Sequence, residues 1–270
     1  MGLRIGLLGM PDNSATRVLL LELHRLGRRP DIVILLEPDI NTQWRRLKRK
    51  LRAGGLLATA SRIAYALSTR MFGNQGQQNS EVVPWPPEIH YVRNFNNKKC
   101  RWLIRNADLD ILLLSTDSMI GRRTFSLPRY GTLNAHPGWI PAYRGLGSML
   151  CMARDGIAPA ISVHLVDEGV DTGPLILRKT IDPVVVERGD EAEHICFIEQ
   201  ARMFVRVIDM IEQGKASPID TFLEQSNMTR GIQAKEARTI QAKVRSRQHD
   251  LQSMEDRHSQ SGSALEPITE

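Results

Sequence analysis

Apolar residues along this chain fall into short continuous runs and helical stripes, and the two alternate. Leu3–Leu8 has the length of a buried strand and ends at Gly9, after which Pro11–Ser14 has turn chemistry. Ala15, Leu19, Leu23 and Leu26 recur at helical spacing, and Gly27 and Pro30 predict where that helix stops. Ile32–Leu36 is continuously apolar, as in a strand covered on both sides of a sheet. Strand, helix and strand at these lengths form a βαβ unit with a right-handed crossover. Ile89–Val92 predicts a third strand, Lys98–Asn106 a helix, and Ile111–Leu114 the clearest strand of all. Ile161–Val166 and Leu175–Leu177 add two more. Asp190, with Glu193 three residues on, predicts a capped helix start. That helix has the stripe Ile195, Ile198, Val205, Ile208 and Ile211, and Gly214 stops it. The alternation predicts an α/β domain over residues 1–215, with a mostly parallel sheet and helices on both faces.

The pattern fades after Gly214. From Ser226 to Glu270 there are seven Lys or Arg and six Asp or Glu among few large apolar residues. Such a segment buries too little to offset the entropy of ordering it. Residues 216–270 are therefore expected to be a polar tail, largely disordered, or with a lone helix around 235–247.

At 270 residues, 41% hydrophobic and 24% charged, the chain has enough apolar mass for a core, which excludes fibrous and wholly disordered classes. The longest apolar runs, such as Ile32–Leu36, fall far short of the roughly 20 residues a membrane-spanning helix needs. Met1–Gly9 is too short an apolar stretch for a signal peptide. Cys100, Cys151 and Cys196 are odd in number and far apart, which predicts reduced thiols in a cytoplasmic protein and neither a disulfide framework nor a metal site. The net charge of +6 is uneven: Trp44–Phe72 carries +8 with no acidic residue, which leaves −2 for the rest. The chain is thus a near-neutral globule with one basic segment, not a generally basic nucleic-acid binder.

The candidate chemistry lies in Gly131–Gly145 and Ser162–Ile176. Asn134 and His136 are two residues apart, so an extended segment puts both side chains on one face. They follow the clearest strand and a Gly131 turn, a position expected near a sheet edge. Asp171 lies in a Gly-Val-Asp-Thr-Gly-Pro loop, a turn that points a carboxylate inward. An amide, an imidazole and a carboxylate are suitable parts for acyl transfer to an amine. The amide and a protonated His136 would hold the oxyanion of a tetrahedral intermediate. Asp171 would keep the imidazole charged and help move a proton from the attacking nitrogen. With no GxSxG elbow and no HExxH metal spacing, direct attack is the simpler route.

Asn-Ala-His-Pro-Gly-Trp-Ile-Pro-Ala-Tyr-Arg-Gly (134–145), followed by Val-His-Leu-Val-Asp-Glu-Gly-Val-Asp-Thr-Gly-Pro (163–174), resembles the folate-dependent formyltransferase family. That family acts on glycinamide ribonucleotide, methionyl-tRNA or amino-sugar nucleotides. The likeness covers about residues 3–214 and is strongest over 110–174. It implies a Rossmann-like N-formyltransferase fold for residues 1–215, with 10-formyltetrahydrofolate as co-substrate and Asn134, His136 and Asp171 as the catalytic trio. It implies that backbone groups around Met119 and Ile120, and at Val166, Asp167, Glu168, Gly169 and Val170, hold the pterin. His164 matches a histidine near the family's site, with a plain packing role as the alternative. The opening Gly9-Met-Pro-Asp-Asn-Ser14 resembles the loop of the tRNA and sugar branches, not that of the purine branch. Gly9, Pro11, Asp12, Asn13 and Ser14 are accordingly candidate acceptor-binding residues, a plain strand-to-helix turn being the alternative. Leu146–Leu150 departs from the residues that usually follow the Tyr-Arg-Gly turn.

The likeness points to a primary amine as acceptor, an amino sugar linked to a nucleotide or a lipid. Methionyl-tRNA, glycinamide ribonucleotide or water are the alternatives within the family. An inactive folate-binding or membrane scaffold protein is the alternative outside it. The basic segment, an insertion over about residues 42–75, is longer than ordinary βα loops. It carries apolar stripes at Trp44, Leu47 and Leu51 and at Leu56, Ala60, Ile63, Ala64, Leu67 and Met71. Three readings stand: a packed helical hairpin, an interfacial helix on the anionic inner face of the membrane through residues 44–72, or contact with an anionic acceptor or RNA.

Overall fold

The apolar runs become the strands of one sheet. A computed structural model describes residues 2–11, 14–37, 88–182, 190–220, 227–229, 236–244 and 246. The basic insertion, with all three of its readings, lies outside the described residues, as do Asp12 and Asn13. The strands are β1 (Ile5–Gly9), β2 (Ile32–Leu36), β3 (Glu88–Val92), β4 (Ile111–Ser115), β5 (Thr132–His136), β6 (Tyr143–Gly145), β7 (Ala160–Leu165), β8 (Leu175–Thr180) and β9 (Asn227–Thr229). The helices are α1 (Ser14–Arg25), α2 (Lys98–Asn106), α3 (Arg122–Phe125), α4 (Ser148–Arg154) and α5 (Asp190–Glu212), with a further helix, α6, at 236–244.

Seven strands form one sheet in the order β3-β2-β1-β4-β5-β7-β8, and β6 pairs with β9 in a separate ribbon. β1 to β5 are mutually parallel where they pair, and β7 is antiparallel to both β5 and β8. The α/β expectation, mostly parallel with helices on both faces, therefore holds.

The register turns strand alternation into two different faces. Val33, Leu7, Leu113, Leu133 and Leu165 sit side by side across five strands. They belong to an apolar layer that α1 and α5 cover through Leu19, Leu23, Phe204, Val207 and Ile208. On the opposite face, Leu8, Ile32, Ile34 and Leu112 pack under α2 through Cys100, Leu103 and Ile104. That second apolar layer ends at β4. Beyond it, the same face of β5 and β7 presents Asn134, His136, Ser162 and His164.

Gly27, at φ 75°, closes α1 as expected: Arg28 N–H donates to Leu23 O and Gly27 N–H to His24 O, the double bond of a Schellman turn. Leu26, expected in the apolar stripe, is 39% exposed because it already lies in this turn. In α5 the buried stripe is Cys196, Ala201, Phe204, Val207 and Ile208, and the expected Ile195, Val205 and Ile211 flank it. In the tail, α6 falls where a lone helix was expected, around residues 235–247, and the described residues add contacts that composition did not suggest. Ile219 exchanges two backbone hydrogen bonds with Leu175, β9 pairs with β6, and Ile240 and Val244 of α6 are buried against Ala153. Packing thus continues past residue 215. Few apolar residues carry it, which is why composition alone reads this stretch as unable to order.

Candidate active site

The site grows out of the alternation in β5. Leu133 and Ala135 face the apolar layer, so Asn134 and His136 necessarily face the other side. β7 runs antiparallel beside them and sets His164 opposite Asn134 and Ser162 opposite His136. The expectation of a sheet edge is corrected here: β5 is flanked on both sides, by β4 and β7. The polar residues lie on an inner stretch of sheet that, among the described residues, no helix covers with apolar side chains.

Asp171 completes the cluster from the loop between β7 and β8. Its backbone is at φ 52°, a left-handed conformation that Asp tolerates better than most residues and that clusters at functional sites. The carboxylate is used at both oxygens. Oδ1 accepts from Asn134 Nδ2 at 3.0 Å and lies 3.5 Å from His164 Nε2. Oδ2 accepts from Gly145 N–H at 2.9 Å and lies 3.2 Å from His136 Nδ1. Asn134, His136 and Asp171, predicted as a trio, are therefore in mutual contact around one carboxylate.

His164 Nδ1 donates to Leu165 O at 2.8 Å, while its Nε2 faces Asn134 Nδ2 at 3.2 Å and Asp171 Oδ1 at 3.5 Å. Burial raises the cost of Asp171's charge, but His164, His136 and the Gly145 amide outweigh it and bring the carboxyl down to about 2. Burial pushes His136 below the ordinary histidine value, more strongly than Asp171 pulls it up, and His164 and the Tyr143 carbonyl add smaller opposing effects. That direction favours a neutral ring over the protonated His136 expected from the sequence. Both ring nitrogens face acceptors, Nδ1 the ionised Asp171 Oδ2 at 3.2 Å and Nε2 the Tyr143 carbonyl at 3.2 Å, beside Gly138. A Cβ at Gly138 would come within 2.4 Å of Nε2, so only glycine leaves room there.

The turn after β5 is held in place by Ser162, whose hydroxyl donates to Gly138 O at 2.7 Å and accepts from Ile140 N–H at 3.2 Å. Arg178 donates to Ile140 O at 2.6 Å and stacks over Trp139 at 3.8 Å. Sequence reasoning missed Ser162, Gly138, and the backbone of Tyr143 and Gly145. Ser162 was legible as the residue two before His164 on the same strand face. The backbone contacts leave no signal in side-chain identity.

The expected pterin-binding positions divide. Ile120 is buried in the apolar layer under α2, whereas Met119 is 60% exposed, its carbonyl accepting from Asn96 Nδ2 at 2.9 Å. Val166 N–H donates to Thr132 O at 2.8 Å, at the start of β5. Asp167 accepts from Gly169 N–H at 3.0 Å and Thr172 Oγ1 at 2.5 Å, so its carboxylate shapes the loop itself. Glu168 lies 3.9 Å from Arg122, just beyond Ile120, which brings the two expected segments side by side. Arg144 donates to Val170 O at 3.1 Å. At the expected acceptor turn, Gly9 is buried within β1, and Met10 N–H donates to Thr16 Oγ1 at 3.1 Å. Thr16 Oγ1 lies 3.2 Å from Ser115 Oγ, which ties this turn to the end of β4; Pro11 is half-buried and Ser14 exposed. Among the described residues, no group of three or more His, Cys, Asp or Glu side chains could hold a metal ion.

Residues 93–196 match a family model described as formyl transferase. The methionyl-tRNA formyltransferase of Agathobacter rectalis is 30% identical over 129 residues, 47% of this chain and 38% of that protein. The GDP-perosamine N-formyltransferase of Brucella melitensis is 32% identical over 108 residues, 39% of this chain and 40% of that protein. The chain spans about two fifths of the length of these curated relatives. Among solved structures, glycinamide ribonucleotide transformylase 1 from Symbiobacterium toebii has a TM-score of 0.53 at 18% identity, over 81% of this chain and 95% of that one. A 4-N formyltransferase from Francisella tularensis has a TM-score of 0.51 at 16% identity, over 84% of this chain and 76% of that one. At these identities the solved structures establish a shared fold. The stretch that matches the formyl transferase model, residues 93–196, is the one that holds Asn134, His136 and Asp171.

Proposed function

We propose that this chain transfers a formyl group from 10-formyltetrahydrofolate to a primary amine, and that the amine belongs to an amino sugar. The observation that carries the reading is the Asn134–His136–Asp171 cluster within the segment that matches the family. The donor set fits an acyl group: two N–H groups on Asn134, an imidazole whose Nε2 lies beside the Tyr143 carbonyl, and an ionised carboxylate behind both. Gly138 keeps the space beside Nε2 free of side chain.

Bound there, 10-formyltetrahydrofolate supplies an activated formyl group on nitrogen. The chain's residues then divide the work. Asn134 commits one N–H to Asp171 at 3.0 Å. Its second, in the longer 3.2 Å contact with His164, is the donor that turns to a carbonyl oxygen as charge develops there. His136, neutral and fixed by Asp171 at Nδ1, accepts the proton of the attacking amine at Nε2, as a general base must. Asp171 and the Tyr143 carbonyl stabilise the imidazolium that results, and its proton would return to the folate nitrogen as the bond from that nitrogen to the formyl carbon breaks. The segments around Met119 and over Val166–Val170 offer backbone groups to the pterin, and the turn from Gly9 to Ser14 meets the acceptor.

The amino-sugar acceptor is supported by the likeness to GDP-perosamine N-formyltransferase and by the charge outside Trp44–Phe72, −2, which offers little to a phosphate backbone. The likeness to methionyl-tRNA formyltransferase favours tRNA as the second reading. Incubation with 10-formyltetrahydrofolate and a panel of amines, read by mass spectrometry, separates them. Formylation of a sugar-nucleotide amine is expected. Formylation of methionyl-tRNA alone selects the second reading, and formylation of no amine overturns both.

A further inference from the structure

β6 touches the cluster twice, both times through its backbone. Gly145 N–H donates to Asp171 Oδ2 at 2.9 Å, and Tyr143 O lies 3.2 Å from His136 Nε2. Between them, Arg144 reaches Val170 O, one residue before Asp171. Yet β6 has only three half-buried residues and lies outside the seven-stranded sheet. Its strand partner among the described residues is β9, in parallel register, with Tyr143 beside Asn227, Arg144 beside Met228 and Gly145 beside Thr229.

Thr229 adds a side-chain clamp to that pairing. Its Oγ1 lies 2.8 Å from Arg144 O, 3.0 Å from Leu146 O and 2.9 Å from Ser148 Oγ. With the Thr229 proton on the Arg144 carbonyl, its nearest acceptor, Ser148 Oγ shares its own proton between Thr229 Oγ1 and Gly145 O, each 2.9 Å away. The carbonyl of Arg144 and the N–H of Gly145 belong to one planar peptide unit and point in opposite directions. A hydroxyl that holds the carbonyl on one side therefore sets the direction of the N–H on the other, which is the bond to Asp171.

We infer that Thr229 is a positioning residue for the transfer proposed above: by holding the Arg144 carbonyl it aims the Gly145 N–H at Asp171 and keeps the carboxylate seated against His136 and Asn134. The inference rests on that reading of the site for its catalytic meaning, and on geometry alone for the coupling. The groups facing Asp171 are His136 and Asn134 from β5, His164 from β7 and the Gly145 N–H from β6, with the Arg144 guanidinium on the neighbouring carbonyl. Gly145 is the one of these that Thr229 governs.

The test uses the full chain. Thr229→Val keeps the shape and removes the hydroxyl, and Thr229→Ser keeps the hydroxyl. The Asp171 carboxyl is titrated by carbon-13 NMR without any substrate, and kcat and KM are measured separately. Thr229→Val is expected to move the Asp171 titration upward from about 2 and lower kcat about tenfold with KM unchanged, while Thr229→Ser matches wild type in both. Ile240→Ala, which loosens the other packing of the tail, is expected to lower the thermal midpoint without moving Asp171. If Thr229→Val fails to fold, Ser148→Ala is read instead, with a smaller shift in the same direction. An unchanged Asp171 titration in the folded variant overturns the inference. A shifted titration in a protein whose wild type formylates no amine supports the positioning and overturns the formyl-transfer reading.

Discussion

The two faces of β5 and β7 are built from adjacent residues of the same strands and do opposite things. Leu133, Ala135, Ile161 and Val163 lie in the apolar layer under α5. Asn134, His136 and His164, each one residue away, gather around Asp171, and Ser162 on the same face holds the turn after β5. On the neighbouring strands β1, β2 and β4 both faces are apolar, because α2 covers the second one. The contrast shows where the fold can host chemistry. Once one face supplies the stabilising burial, the other is free to hold groups whose burial is unfavourable unless they satisfy one another.

If this division is right, variants on the two faces fail in different ways. The largest effect is expected on the polar face: His136→Ala and Asn134→Ala should each lower the formylation rate by about 10²- to 10³-fold, with thermal unfolding little changed. Next comes the apolar face. Phe204→Ala empties a fully buried site under β5 and should cost about 3–5 kcal/mol in a denaturant titration, with turnover preserved at low temperature. Ser162→Ala sharpens the comparison, since Ser162 is on the polar face but serves the turn after β5. Loss of its two buried bonds should cost about 1–3 kcal/mol and lower the rate less than His136→Ala does.

The smallest effects are in pH. His136 is held below its ordinary value, so its unfolded form binds protons first, and stability should begin to fall as pH drops below about 6.5. Asp171 is depressed to about 2, and its contribution is present above the unfolded value of about 3.9 and lost as pH falls from there towards 2. Asp171→Asn should remove the lower step and leave the upper one. The rate itself should rise with pH through the His136 ionisation, at a pH below that of a free histidine. A denaturant series from pH 3 to 8, run beside a pH–rate profile, checks both signs.

What the sequence could disclose follows the same division. The apolar face is a matter of burial, and burial leaves a pattern: Ile32–Leu36, Lys98–Asn106 and the strand from Ile111 were legible almost to the residue. β8 was read short, because Arg178, Lys179 and Thr180 continue it on a sheet edge where polar side chains are tolerated. The trio was legible from the two-residue spacing of Asn134 and His136 and from the family likeness. His136's charge state was not, because it depends on how deeply the fold buries the ring and on the Asp171, His164 and Tyr143 groups around it. β6 and β9 were invisible, since three residues carry no period and their pairing spans more than eighty positions of chain. The helix α6 was one of the two readings of residues 235–247, but its packing was not legible, since Ile240 and Val244 are too few to mark a stripe in a polar segment.

Asp171 is the point at which the polar face either works or does not, so the most direct measurement is formyl gain on the accepted amine by Asp171→Asn beside wild type, with the thermal midpoints of both recorded near neutral pH. The account predicts a loss at least as large as that of His136→Ala, on the order of 10³-fold, in a protein that still melts cooperatively. Turnover near that of wild type in the folded Asp171→Asn protein would contradict it.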